Sequence, residues 1–212
     1  MSVVTRINSD DVAILLIDHQ SGLFQTVKDI DVTALRNNVT TLAKIAAIEN
    51  IPVITTASEP NGPNGPLMPE IHKYAPHAVY VPRNGEINSW DTPAFVEAVK
   101  KTGKKKLIIG GVLTSVCVAF PSISAVSEGY EVFAVIDASG DMSTLSSQAT
   151  IARLSLAGVV PISTTAVCSE IQKTWYRPDA LQFAEAYSSV MPNFQAVIES
   201  FLKAESVGIS KK

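Results

Sequence analysis

Three residues able to carry chemistry stand just beyond apolar runs of this chain. Cys117 follows the run 106–112 and opens a helical stretch, 115–128. A helix N-terminus presents unpaired N–H groups and positive potential. A thiol held there is expected to ionise more readily, and the thiolate is the nucleophile. The same N–H groups can hold the oxyanion of a tetrahedral intermediate. A cysteine packed beneath the helix as an apolar residue fits the position equally well. Asp18 closes the run 12–18 and can act as a general base or simply cap the next turn. Asp137 ends the run 131–136 in the same way, so the position alone does not single out Asp18. Arg83 follows the short run 79–81. Its guanidinium does not deprotonate, which leaves it to stabilise a thiolate or an anionic intermediate, or to sit in a plain ion pair.

Other chemistries lack their residues. The three histidines, His19, His72 and His77, make no His-Glu-x-x-His and no Cys/His zinc spacing. Gly110 and Gly111 follow a strand but belong to neither a dinucleotide fingerprint nor a P-loop. No Gly-x-Ser-x-Gly elbow is present. The expectation is a site without cofactor or metal.

Short apolar runs alternate with helical patterns along the chain and would position these residues. Runs at 12–18, 51–56, 79–81, 106–112, 131–136 and 159–163 read as strands. Between them, 32–50 has apolar residues at Leu35, Val39, Leu42, Ala43 and Ala46, which is helical spacing. The segment 91–103 has Asp91 or Thr92 to cap a helix, Pro93 for its first turn and Gly103 for its end. Helices closed by Gly129 and Gly158 follow at 115–128 and 146–157. Residues 58–69, dense in Pro and Gly, must form a loop, and long loops in compact domains are often functional. Strands apolar on both faces and separated by helices predict an α/β fold: a doubly wound parallel six-stranded sheet, Rossmann-like, of order 3-2-1-4-5-6, with helices on both faces. Ligands of such sheets bind outside the carboxyl ends of the strands, near the point where strand order reverses. Asp18 and Cys117 would face each other across that point. The chain reads as one domain, 1–212, with a helical C-terminal extension at about 175–205 broken at Pro192.

The chain of 212 residues carries 17 Lys and Arg against 20 Asp and Glu, for a net charge of −3. No basic field for nucleic acid results; the basic runs are Lys104 to Lys106 and the terminal Lys211 and Lys212. No stretch approaches the ~18 apolar residues of a membrane span. The first ten residues lack the basic and apolar regions of a signal peptide, and two cysteines make no disulfide framework. A cytoplasmic protein with free thiols is expected. Charged residues are only 17%, against about 25% in a typical soluble domain. Mean hydropathy is +0.21. Burial of surface by other copies of the chain would account for the shortage.

Three segments together resemble the isochorismatase-like cysteine hydrolase superfamily. They are Ala13 to Gln20, ending in Asp-His-Gln; Gly110 to Val118, which fits a G-x-x-T-x-x-C-V motif; and Gly129 to Ser139. The stretch from Arg83 to Asp91 is similar to the YcaC-like subgroup. The resemblance implies Cys117 as nucleophile, Asp18 as general base, and an oxyanion hole from the N–H groups of Leu113 and Cys117. It implies a cis peptide between Val112 and Leu113. Arg83 stands where most members carry a lysine, which leaves it an electrostatic role. Metal-dependent members hold their metal with Asp and His after the second strand; here Ala57, Ser58 and Glu59 follow, without His. Members that cleave isochorismate typically lack the cysteine, so Cys117 favours C–N hydrolysis through a thioester. Gln20, Phe24, Asn88, Trp90 and Phe120 lie near these motifs and are candidate substrate-pocket residues, although a core or structural role suits Phe24, Asn88, Trp90 and Phe120 better. The resemblance also implies a small-molecule substrate and homo-oligomers, octamers in the YcaC-like group. Two rivals stay open: a C–O hydrolase with a structural cysteine, and a thiol-bearing binding or sensing protein without turnover.

Overall fold

The computed structural model describes residues 6–209; residues 1–5 and 210–212, with Lys211 and Lys212, lie outside the described residues. Six strands form one sheet: β1 Val12–Ile17, β2 Val53–Ala57, β3 Val79–Pro82, β4 Lys106–Gly111, β5 Glu131–Val135 and β6 Val160–Ile162. Their order is β3-β2-β1-β4-β5-β6, and every pairing is parallel. The helices in chain order are α1 Ser21–Phe24, α2 Val32–Ile48, α3 Glu70–Tyr74, α4 Pro93–Lys101, α5 Ala119–Ser127, α6 Thr144–Leu156, α7 Thr164–Gln172, α8 Ala180–Tyr187 and α9 Pro192–Ile209. The predicted helix 115–128 is in fact two pieces, a π-helical turn, Thr114–Val118, followed by α5. The C-terminal extension is two helices broken before Pro192, as its sequence predicts, and Pro192 opens α9, where a proline gives up no internal hydrogen bond. None of the described helices is long and apolar enough to cross a membrane.

The unbroken apolar run of β1 follows from its place in the middle. Successive side chains of a strand point to opposite faces. Val12, Ile14 and Leu16 enter one core, with Leu35, Val39 and Leu42 of α2, Val167 of α7 and Phe183 of α8. Ala13, Leu15 and Ile17 enter the other, with Phe95 and Val99 of α4, Ala125 of α5 and Leu154 of α6. A strand covered on both sides gains nothing from alternation. At ~25 cal/mol per Å² of apolar surface removed from water, these two layers are the main force that fixes the register.

Register carries the site. Ile17 is level with Thr56 of β2 and with Gly111 of β4, while Ala57 is level with Pro82 of β3. Asp18 and Val112 therefore emerge level with Ala57 and Pro82, and Ser58 and Arg83 follow one residue beyond on the same carboxyl edge. β1 and β4 are neighbours, so the strand order reverses between Asp18 and the turn bearing Cys117. Gly111 is required there, because a Cβ would stand 2.6 Å from the Ile17 carbonyl oxygen.

Candidate active site

Asp18 leaves β1 in the left-handed region, at φ 57°. Aspartate is among the few non-glycine residues that enter this region with any frequency. The turn aims its carboxylate across the edge of the sheet. Oδ1 takes the Arg83 Nη2–H and the Ser58 N–H, the latter at 3.0 Å. Arg83 is fixed from its other side: Nη1 donates to the carbonyls of Glu86 at 2.8 Å and Ile87 at 3.3 Å. The pair is enclosed, with side-chain exposures of 0% for Arg83 and 1% for Asp18. The Cys117 thiol donates to the Asp18 carboxylate. Thiol, carboxylate and guanidinium therefore form one contiguous group.

Cys117 rides on the π-helical turn, 8% exposed. The peptide bond between Val112 and Leu113 is cis. The Leu113 carbonyl collects the N–H groups of Val116 at 3.2 Å, Cys117 at 2.8 Å and Val118 at 3.3 Å. Asp141, fully buried, accepts the Ser115 N–H at 2.7 Å. This helix start thus has few free donors to offer an anion. The Cys117 N–H, expected in an oxyanion hole, is engaged within the turn. The Leu113 N–H is directed at the thiol.

Ionisation departs from expectation accordingly. The Cys117 thiol is held well above its ordinary value, first by burial, then by the Asp18 charge and the hydrogen bond to it. The Leu113 N–H and Arg83 pull it down without overcoming burial. Asp18 is also raised by burial, which outweighs Arg83, the thiol and the Ser58 N–H. The resting group is a neutral thiol beside a carboxylate of increased basicity. His19 turns away: its Nε2–H donates to the Ala138 carbonyl at 2.9 Å, and burial lowers it to about 4. Asp137, the other strand-end aspartate, accepts both the N–H and the hydroxyl of Thr164 and so starts α7. Its role is a cap.

A cavity of about 180 Å³ opens over the thiol. Its floor is Asp18, Cys117 and Leu113; Leu23, Ile87 and Val116 are walls, and Asn64 reaches in from the loop 58–69. That loop is tied down by Gln20, whose Nε2 donates to the carbonyls of Ser58 and Gly65 while its Oε1 accepts the Ser58 N–H. Its crest lies on Gly22, where any Cβ would collide with the Pro63 carbonyl. The candidate pocket residues do other work, as the core or structural alternative has it. Gln20 holds the loop behind the cavity. Phe24 and Trp90 lie in the two cores. Asn88 caps the turn at Trp90 and binds Asp91 and Ser124. Phe120 packs beneath the Arg153 guanidinium. Nearness in sequence placed them beside the motifs, but the side chains of Phe24, Trp90 and Phe120 leave the edge for the packed faces. Asn64, Leu23, Ile87 and Asp141 are the residues sequence reasoning missed. Only the Pro and Gly content of 58–69 hinted at any of them. Among the described residues, no group of three or more His, Cys, Asp or Glu side chains is placed to hold a metal ion.

A thiol, a carboxylate and a guanidinium gathered at the carboxyl edge of a 3-2-1-4-5-6 parallel sheet define an α/β protein of the isochorismatase-like class. The chain belongs to the isochorismatase family of hydrolases: the family profile described as Isochorismatase domain matches residues 12–166. It is 43% identical over 196 residues to the probable hydrolase YcaC of Escherichia coli, a match covering 92% of this chain and 94% of that one. The crystal structure of Escherichia coli YcaC, described as an octameric hydrolase of unknown specificity, superposes with a TM-score of 0.92 at 42% identity, covering 96% of this chain and all of that one. YcaC from Pseudomonas aeruginosa gives 0.91 at 43% identity, covering 95% and 99%.

Proposed function

We propose that the chain is a cysteine-dependent amidohydrolase that works as one domain through a Cys117 thioester. The observation that carries this reading is the contact of the Cys117 thiol with Asp18, itself locked by Arg83, at the floor of a cavity. Asp18 takes the thiol proton as sulfur attacks the amide carbonyl, so a free thiolate need not accumulate despite the raised thiol. Charge moves from sulfur to the carbonyl oxygen, and the Leu113 N–H is the backbone donor nearest to receive it. Asp18 returns the proton to the leaving nitrogen, the C–N bond breaks, and amine departs. Water then cleaves the thioester, releasing a carboxylic acid and restoring the thiol. Arg83 holds the carboxylate in place throughout and lends positive potential. The Pseudomonas aeruginosa relative has been crystallised with covalent acrylamide, a small amide. The test is turnover of small primary amides, followed by ammonia release and by intact mass after acid quench. Ammonia together with an acyl mass on Cys117 is the expected result. Ammonia from a chain that never carries the acyl group would replace the covalent route with direct attack by water.

The same reading includes a homo-oligomer. Leu156, Tyr176 and Leu181 are 91%, 99% and 78% exposed, an apolar display that self-association would cover. The octameric relative from Escherichia coli supports this. Light scattering at micromolar concentration should give a multiple of 22.6 kDa; a monomer there would leave the low charge content without a cause.

A further inference from the structure

The cavity over Cys117 constrains what can reach the thiol. Resting on the amidohydrolase reading, we infer that the substrates are short, uncharged aliphatic primary amides, with Ile87 setting their length and Asn64 reading their amide group. Size comes first. An apolar cavity of about 150 Å³ holds one benzene, so the 180 Å³ over Cys117 accepts a molecule of about six or seven non-hydrogen atoms. Its side walls, Leu23, Val112, Val116 and Ile87, are apolar. An ionised substrate finds no cationic side chain among the residues lining it. The Arg83 guanidinium, fully enclosed, is engaged by Asp18 and by the carbonyls of Glu86 and Ile87. A carboxylate entering beside Asp18 would meet its like charge and lose water with no cation in the lining to offset the loss.

Asn64 and Ser58 are the polar residues at the wall, and Asn64 has the longer reach. Its Nδ2 donates to the Ser58 carbonyl at 2.9 Å. A carboxamide has two N–H donors and an acceptor oxygen, so one N–H and Oδ1 remain for a ligand. Oδ1 can accept the amide N–H of a substrate whose carbonyl lies over the thiol, a contact that a ketone cannot make. Ile87 lies at the mouth, 66% exposed, on the same segment whose carbonyls anchor Arg83. Its side chain is free to be shortened while its carbonyl stays in place.

Protection of Cys117 from iodoacetamide, read by peptide mass spectrometry, measures occupancy whether or not a ligand turns over. Butyramide should protect. Oxamate, of the same heavy-atom count but ionised, should need about a hundredfold higher concentration. Hexanamide should be at least about tenfold weaker than butyramide, since one methylene in a filled apolar pocket is worth about tenfold or more. Ile87→Ala should recover that loss for hexanamide and leave oxamate excluded. Asn64→Ala should weaken butyramide about fivefold or more and leave 2-pentanone unchanged, a split that a general disturbance of the loop would not give. Equal protection by oxamate, by hexanamide in the wild type, or by no amide at all would overturn this substrate class. None of those outcomes touches the covalent route, which fails separately if turnover leaves no acyl mass on Cys117.

Discussion

Cys117→Ser lowers kcat/KM for a small amide by at least about a hundredfold, and Asp18→Asn lowers it by about 10²–10⁴-fold, the usual contribution of a positioned proton carrier. The two losses do not add, because each removes the same proton-coupled attack. Asp18→Asn separates this role from simple electrostatics. In the resting site the Asp18 charge pushes the Cys117 thiol up while Arg83 pulls it down. The variant removes the first influence and keeps the second. Its thiol should therefore ionise at lower pH than that of the wild type, read by thiolate absorbance, while its turnover falls. The pH profile follows the same logic. Asp18 must be ionised to accept the proton, and burial raises it above 3.8. Wild-type kcat/KM should rise with pH, with its acid midpoint above that value, and Asp18→Asn should lose this limb. Wild-type rates in Cys117→Ser would remove the sulfur from the mechanism. Wild-type turnover in Asp18→Asn would remove the proton transfer.

The trio was legible because each member stands directly beyond a strand or at the helix that follows one, and strand ends are where parallel sheets place their ligands. The continuous apolar run before Asp18 could belong only to a strand covered on both faces, and the two cores bear this out at Ile14 and Leu15. Contacts between distant parts of the chain were not legible. Asp141 acts on Ser115, 26 residues away, by closing the turn under Cys117. Nothing in its local sequence distinguishes it from a loop aspartate, and without it the helix start looked free to lower the thiol. Asn64 is similar: the loop 58–69 was recognisable, but which of its residues turns inward depends on the ties from Gln20 and on the seat at Gly22. Phe24, Trp90 and Phe120 illustrate the converse. Large aromatic residues near a motif are as useful to a core as to a pocket, and the direction of the side chain decides.

Arg83→Met should destabilise the fold by about 3–5 kcal/mol near neutral pH, the usual cost of leaving one member of a buried ion pair without its partner. Both side chains are enclosed, so solvent does not soften the loss. The effect should depend on pH with a definite sign. Asp18 already has a folded-state value above 3.8, and losing Arg83, which lowers it, raises it further. Between 3.8 and that folded-state value the native chain binds the proton and the unfolded chain does not. Stability therefore falls as pH rises through this window. Below it both states are protonated and the penalty disappears. Urea unfolding should show the deficit of Arg83→Met growing from mild acid towards neutral pH. Adding Asp18→Asn should recover most of it by removing the stranded charge. Arg83→Lys should fall between: it keeps the charge beside Asp18 but lacks the fork that also reaches the Glu86 and Ile87 carbonyls. A deficit that is flat with pH, or no rescue by Asp18→Asn, would mean that Arg83 matters through those two carbonyls and the loop they anchor, and not through the ion pair.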